Sequence, residues 1–254
     1  MSDYPPQLIQ PLHTAPVPRR IRATLAGATV LDTTGALYVW EVPHYPQYYV
    51  PRADVDELLL VDEEHAHHLH LGLAQRYGLR VGELSRPAAG RLYTESAVEG
   101  VAGRFRFEWD AFDHWFEEDE EVFVHPRSPY TRVDALRSTR RVRVELDGVV
   151  LAASSSPVMV FETGLPTRYY VNRTEVDFSQ LEASDTVTAC PYKGRTTGYW
   201  SVRIGELLHS DLAWSYDFPT GPLLPIAGLI AFYNEKVDTF LDDLPLERPQ
   251  THFS

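Results

Sequence analysis

Four histidines fall within six positions of "EEHAHHLHLG" (63–72). In a strand His65 and His67 share one face and His68 and His70 the other. The segment alone therefore cannot bring all four to one ion. A zinc or nickel site on His65 and His67 would need a distant acidic ligand; the plainer reading is a solvent-facing strand that holds no metal. A second stretch with chemical potential is "CPYKG" (190–194), which contains the only cysteine, Cys190, three residues before Lys193. A nearby ammonium favours the thiolate form of a cysteine. A nucleophile also needs a base within reach, and the sequence by itself does not place His209, the candidate base of this copy, beside Cys190. Three readings stay open for Cys190: a buried structural thiol, a pocket wall, or a catalytic nucleophile or redox thiol.

Polar anchors and aromatics surround this stretch in sequence. Glu162, Tyr170 and Arg173 have counterparts in Glu41, Tyr49 and Arg52. A structural Glu162–Arg173 ion pair would explain that persistence. The rival is a polar patch in which the planar Arg173 fork grips a carboxylate or phosphate. Tyr192, Tyr199, Trp200, Trp214 and Tyr216 read either as β-domain core or as the lining of a pocket with a few polar anchors. Established catalytic signatures are missing. There is no Gly-Ser pair, no Gly-x-Ser-x-Gly turn and no phosphate loop, and "DVD" (54–56) is the sole Asp-x-Asp.

The elements that must position these residues come as a duplication. "RRIRATLAGATVLDTTGALYVWEVPHYPQYYVPRADVD" (19–56) aligns without a gap with "RRVRVELDGVVLAASSSPVMVFETGLPTRYYVNRTEVD" (140–177), at a constant offset of 121 with 13 of 38 positions identical. Carried forward, the offset sets His65 against Thr186, His67 against Thr188 and Leu69 against Cys190. Beyond the block the copies drift; Trp109 is matched to Trp214, and 122–136 to 229–241. The expected layout is a Pro-rich arm (1–18), a divergent first copy (19–137) and a second copy (138–254), with the boundary in "RST" at 137–139.

The local pattern is β. "RVRVELDGVVLA" alternates polar and apolar residues around an Asp147-Gly148 hairpin turn. "VMVFE", "RYYVNR", "TVTAC", "YWSVRIG" and "LIAFYN" read as further strands, and "VDELLLVD" and "KVDTFLDDL" as a helical turn or two. The core face draws on Val142, Val144, Leu146, Val158, Val160, Val171 and Val202.

In the second copy "ETGLPTRYY", "CPYKG", "YWSVRIG", "DLAWSYDFP" and "IAGLIAFYNEKVD" follow one another. This string resembles the bacterial domain-of-unknown-function family 427, sometimes labelled nucleotidyltransferase-like, over residues 140–241. The first copy resembles a divergent member that holds "LHLG" in place of "CPYKG". The resemblance implies a mainly β fold of two tandem tent-like antiparallel domains, similar to methionine sulfoxide reductase B, with few short helices. The zinc-bearing relatives of that fold often use four cysteines; a single cysteine rules such a site out here.

Composition bounds the rest. A net charge of −13 argues against nucleic acid and anionic membranes, and no apolar run reaches the 18 residues that a spanning helix needs. The acidic "FEEDEEVF" (116–123) reads as a solvated turn or strand edge. One cysteine and no secretory pattern at the start suit a cytoplasmic protein. The leading expectation is a protein of unknown function that binds a small anionic or aromatic molecule in the second copy, without a cofactor. The ligand would be held by Glu162, Tyr170, Arg173, Cys190, Tyr192, Lys193, Tyr199, Trp200, Trp214 and Tyr216. The alternatives are an enzyme using Cys190, and a structural or partner-binding module; self-association through strand edges stays open.

Overall fold

A computed structural model describes residues 8–251, 253 and 254. Residues 1–7 of the Pro-rich arm, and His252, lie outside the described residues. The chain divides into two compact units, one spanning Leu8–Ser128 and the other running on from Pro129 to Ser254. The division precedes the "RST" stretch, because a strand at 133–137 pairs inside the second unit.

The first unit carries β1 (Thr14–Pro16), β2 (Ile21–Leu25), β3 (Ala28–Thr33), β4 (Leu37–Val39), β5 (Gln47–Pro51) and β6 (Leu60–Leu69). It continues with β7 (Gly72–Val81), β8 (Leu84–Ser96), β9 (Arg104–Phe107), β10 (His114–Glu117) and β11 (Glu120–Val122). These form a seven-stranded sheet, β1-β4-β5-β9-β8-β7-β6, and a four-stranded sheet, β11-β10-β2-β3. The second unit carries β12 (Val133–Arg137), β13 (Val142–Leu146), β14 (Val149–Ser154), β15 (Val158–Glu162), β16 (Arg168–Tyr170), β17 (Leu181–Ala183) and β18 (Ala189–Cys190). Then come β19 (Gly194–Arg195), β20 (Gly198–Ile204), β21 (Leu207–Ser215), β22 (Ile230–Phe232), β23 (Asp238–Leu241) and β24 (Leu244–Pro245). Its sheets run β12-β15-β16, β14-β13-β23-β24, β17-β20-β21-β22 and β18-β19. Among the described residues every strand pairing is antiparallel, and helical structure is confined to short 3-10 turns. The chain is mainly β in two domains.

The duplication repeats in fine detail. The β2–β3 hairpin turns through Ala26 and Gly27 (φ 48° and 78°), and the β13–β14 hairpin through Asp147 and Gly148 (φ 50° and 79°). Two consecutive left-handed residues suit the right-handed twist of the flanking strands. Both hairpins carry a bulge at the matching place, between Ala23 and Thr24 and between Val144 and Glu145. The seven residues expected in the second copy's core are all buried. They divide between two clusters: Val142, Val144, Leu146, Val171 and Val202 in one, Val158 and Val160 in the other.

Several expectations are corrected. Residues 14–16 form β1, paired with β4, so this part of the Pro-rich stretch is sheet and not a free arm. "KVDTFLDDL" forms β23 and the turn into β24, because β23 pairs with β13 through Val142↔Leu241. Its counterpart is β10, which pairs with β2 through Ile21↔Glu117; the proposed match of 122–136 with 229–241 therefore falls. The Trp109–Trp214 match falls too. Trp214 lies opposite Ala231 on β21 as Arg91 lies opposite Arg106 on β8, whereas Trp109 sits in a 3-10 turn. In the acidic run, Glu118 and Asp119 turn between β10 and β11. Glu117 is instead buried, accepting hydrogen bonds from Arg19 (2.5 Å) and Tyr48 (2.7 Å).

Candidate functional site

β6 carries His65, His67 and His68 at the edge of the large sheet, and His70 lies in the turn to β7. A bulge between Asp62 and Ala66 breaks its pairing with β7, and Glu64 within it takes φ 52°. His65 is exposed and His67 half-buried, with ring centroids 5.2 Å apart. Among the described residues no group of three or more His, Cys, Asp or Glu side chains is placed to hold a metal. The pKa of His67 is lowered by burial first and by the neighbouring His65 and two arginines after it.

In the second copy this region folds differently. β17 keeps the early pairing, Leu181↔Val202, as β6 does with Leu60↔Leu79. The chain then leaves the ladder, and "TVTAC" contributes only Ala189 and Cys190 to a strand. β18 and β19 form a small hairpin whose turn, residues 191–193, carries Lys193 inward. The loop at 217–220 lies against this turn. Thr220 Oγ1 donates to the Tyr192 carbonyl (2.6 Å), and the Thr220 N–H donates to the Lys193 carbonyl (3.2 Å).

Lys193 Nζ donates to Glu162 Oε2, and both side chains are 9% exposed. The same nitrogen lies 3.9 Å from the half-buried Cys190 Sγ. Burial acts against the ammonium, but the Cys190 sulfur, the Glu162 carboxylate and the Tyr170 phenol outweigh it and raise the Lys193 pKa above the ordinary lysine value. Tyr170, at the end of β16, is fully buried and accepts a hydrogen bond from Trp214 Nε1 (3.1 Å). Its burial pushes the phenol up to about 12, against the pull of Lys193 and Trp214. Tyr216, just past β21, is 5% exposed. Burial, then the charges of Tyr170, Cys190 and Glu162, raise its pKa well above the ordinary value.

The first unit holds the sister arrangement. Glu41 Oε1 accepts from Tyr49 OH (2.8 Å) and from Arg106 Nε (3.0 Å). Arg106 and Arg91 both also donate to Glu108, and the Tyr49 ring packs against that of Tyr93 (centroids 5.7 Å apart). The registers make Tyr93 the counterpart of Tyr216, and Ala231 the counterpart of Arg106. One carboxylate is thus neutralised by a strand arginine in the first unit and by a turn lysine in the second.

The sequence-expected residues separate into groups. Glu162, Tyr170, Cys190, Lys193, Trp214 and Tyr216 come together. Tyr199 joins their cluster and bonds its hydroxyl to that of Tyr233 (2.6 Å). Trp200 follows Tyr199 on β20 and packs in the other cluster. The expected Glu162–Arg173 pair does not form. The 3-10 turn Arg173–Glu175 redirects the chain, so that the Arg173 guanidinium lies over Trp200 (5.3 Å) and Phe178 (5.7 Å), and 3.8 Å from Asp217. His209 lies 3.6 Å from the Asp147 carboxylate, which leaves the proximity of a base to Cys190 without support. Sequence reasoning missed the buried Arg168–Glu235 pair, bidentate at 2.5 and 2.7 Å, with Arg168 also donating to Asn234. Its signal was two charges set among aromatic and apolar neighbours in "TRYYV" and "FYNEKV".

The family model for the domain of unknown function DUF427 matches the chain twice, over residues 13–118 and 134–243. The chain belongs to this family. Each DUF427 match falls within one structural unit, and the first copy matches despite its different 63–72 segment. No curated protein matches the chain. Among the described residues no helix is long and apolar enough to cross a membrane.

Proposed function

We propose that the second DUF427 unit binds a small molecule through a hydrogen-bond-accepting group, a carboxylate or carbonyl, at the Cys190–Lys193–Tyr170–Tyr216 cluster. One observation carries the reading. In the first unit the Tyr49 proton goes to Glu41, whereas in the second unit Lys193 takes the matching carboxylate. The Tyr170 hydroxyl accepts from Trp214, and neither its own proton nor that of Tyr216 finds an acceptor among the described residues. The fully buried Tyr170 hydroxyl thus keeps an unused donor in the interior, which is costly, and a ligand oxygen would satisfy it. Half-buried Cys190 marks the entry side. Phe218, 85% exposed on the loop lying against Gly194, offers an aromatic face to the rest of the ligand. Arg173 plays no part in this site. The free thiol suits a reducing compartment, which supports a cytoplasmic location.

Benzoate, a carboxylate on a flat apolar ring, tests the reading by titration into isotope-labelled protein. Resonances of the second unit move saturably, and Tyr216→Phe weakens binding about tenfold, the worth of one hydrogen bond to a charged acceptor. Tyr93→Phe, the matching change in the first unit, leaves the affinity alone. Equal losses in both variants, or shifts confined to the first unit, refute the site.

A further inference from the structure

The cluster contains a group that simple ligand binding does not use. Cys190 is the only sulfur nucleophile of the chain. It is half-buried at the open side, with the Lys193 ammonium 3.9 Å from its sulfur. The Tyr216 phenol, 5% exposed and without a hydrogen-bond partner among the described residues, packs in one cluster with Tyr170 and feels the charges of Tyr170, Cys190 and Glu162. A thiol beside an ammonium and a free phenol has the parts of a carbonyl trap. The sulfur can attack a carbonyl carbon while the two donors receive the oxygen on which charge develops.

We propose that Cys190 adds reversibly to the aldehyde carbon of a ligand seated in the second unit, forming a hemithioacetal whose oxygen is held by Lys193 and Tyr216. The inference rests on the binding reading above and names its ligand class. The Sγ–C bond forms as the C=O π bond opens. The thiol proton passes to the former carbonyl oxygen, relayed by the ammonium. Nothing is oxidised or reduced, no group leaves and no co-reactant is required. Glu162 keeps Lys193 charged and aimed. The first unit cannot do the same, because it has no cysteine and its phenol, arginine and carboxylates satisfy one another.

The test uses the full chain, reduced, with benzaldehyde labelled with carbon-13 at the carbonyl. Carbon NMR reads the conversion of the trigonal carbon into a tetrahedral one. The chain has two lysines, Lys193 and Lys236, so background imine formation is limited and shows at a different shift. The expected result is a tetrahedral carbon signal that saturates, disappears on dialysis, and is absent from Cys190→Ser and from wild-type protein alkylated with iodoacetamide. Tyr216→Phe weakens the adduct tenfold or more. Lys193→Met combined with Glu162→Gln, which removes the ion pair as a unit and so protects folding, weakens it tenfold to a hundredfold. A tetrahedral signal that persists in Cys190→Ser overturns the proposal, as does adduct affinity unchanged in Tyr216→Phe. Benzoate binding without any aldehyde adduct overturns this inference and leaves the binding reading standing. Failure of both probes brings both down.

Discussion

Replacing Glu162 by Gln isolates the energetics of the buried ion pair. The substitution keeps the shape and removes the charge, leaving the Lys193 ammonium 9% exposed without its counter-ion. Breaking a buried pair by removing one partner costs about 3–5 kcal/mol. The expected loss is therefore about 3 kcal/mol or more, at least roughly a hundredfold in the folding equilibrium. The first unit supplies an internal control. Glu41 is 20% exposed, and Arg106 retains Glu108 when Glu41 is neutralised, so Glu41→Gln should cost about 1 kcal/mol. The double change Glu162→Gln/Lys193→Met should return to within about 1 kcal/mol of wild type, because a neutral pair of similar size carries no desolvation penalty. The assay is urea titration followed by hydrogen exchange of peptides, which reports each unit separately where one transition would blur two. The reasoning fails if Glu162→Gln costs no more than Glu41→Gln, or if the double variant is as unstable as the single.

Burial would raise the Glu235 carboxyl, but the Arg168 fork and the Thr251 hydroxyl win and lower it below the ordinary glutamate value. Its contribution is therefore present above the unfolded-state pKa of about 4.3 and is lost as pH falls through the lower folded value. Glu235→Gln should lower the urea midpoint of the second unit at pH 7, and the gap to wild type should close by pH 3; a gap that widens in acid contradicts the sign. Gly72 takes φ +141°, and a Cβ there would lie 2.0 Å from the Glu95 carbonyl oxygen, so Gly72→Ala should cost roughly 3–5 kcal/mol by forcing the backbone apart. Gly27→Ala, with open space around it at φ +78°, should cost about 1–2 kcal/mol in backbone strain alone; thermal melting that ranks the two the other way refutes the packing argument.

The sequence made some features plain and concealed others for identifiable reasons. The gapless 19–56 and 140–177 blocks reappear as equivalent strands with the same left-handed turns and bulges, since hairpin geometry is written locally by residues such as Asp147-Gly148. Alternating valines named the core because side-chain parity within a strand is fixed. Past residue 177 matching by residue type misled. Trp214 takes the place of Arg91 and not of Trp109, because ladder register decides position and a rare residue does not. The strand 238–241 was hidden by its acidic flanks, and its pairing with Val142 comes from the distant β13. At the site, Cys190 and Lys193 were visible as neighbours in sequence. The partner of Lys193, Glu162, was legible as a residue of interest but was given to Arg173, because a 3-10 turn breaks the parity that places a strand residue.

The relocated cation constrains how the sister copies could have diverged. Ala231 stands where Arg106 stands, and Lys193 arrives from a hairpin that the first unit lacks. A lineage passing from one arrangement to the other must cross an intermediate with two cations around the glutamate or with none. Gaining the second before losing the first strands no lone carboxylate in the interior, so the order of the steps is set by electrostatics. Grafting 189–195 alone into the first unit would crowd two positive groups onto Glu41, and the transplant becomes workable only when Arg106 is trimmed with it.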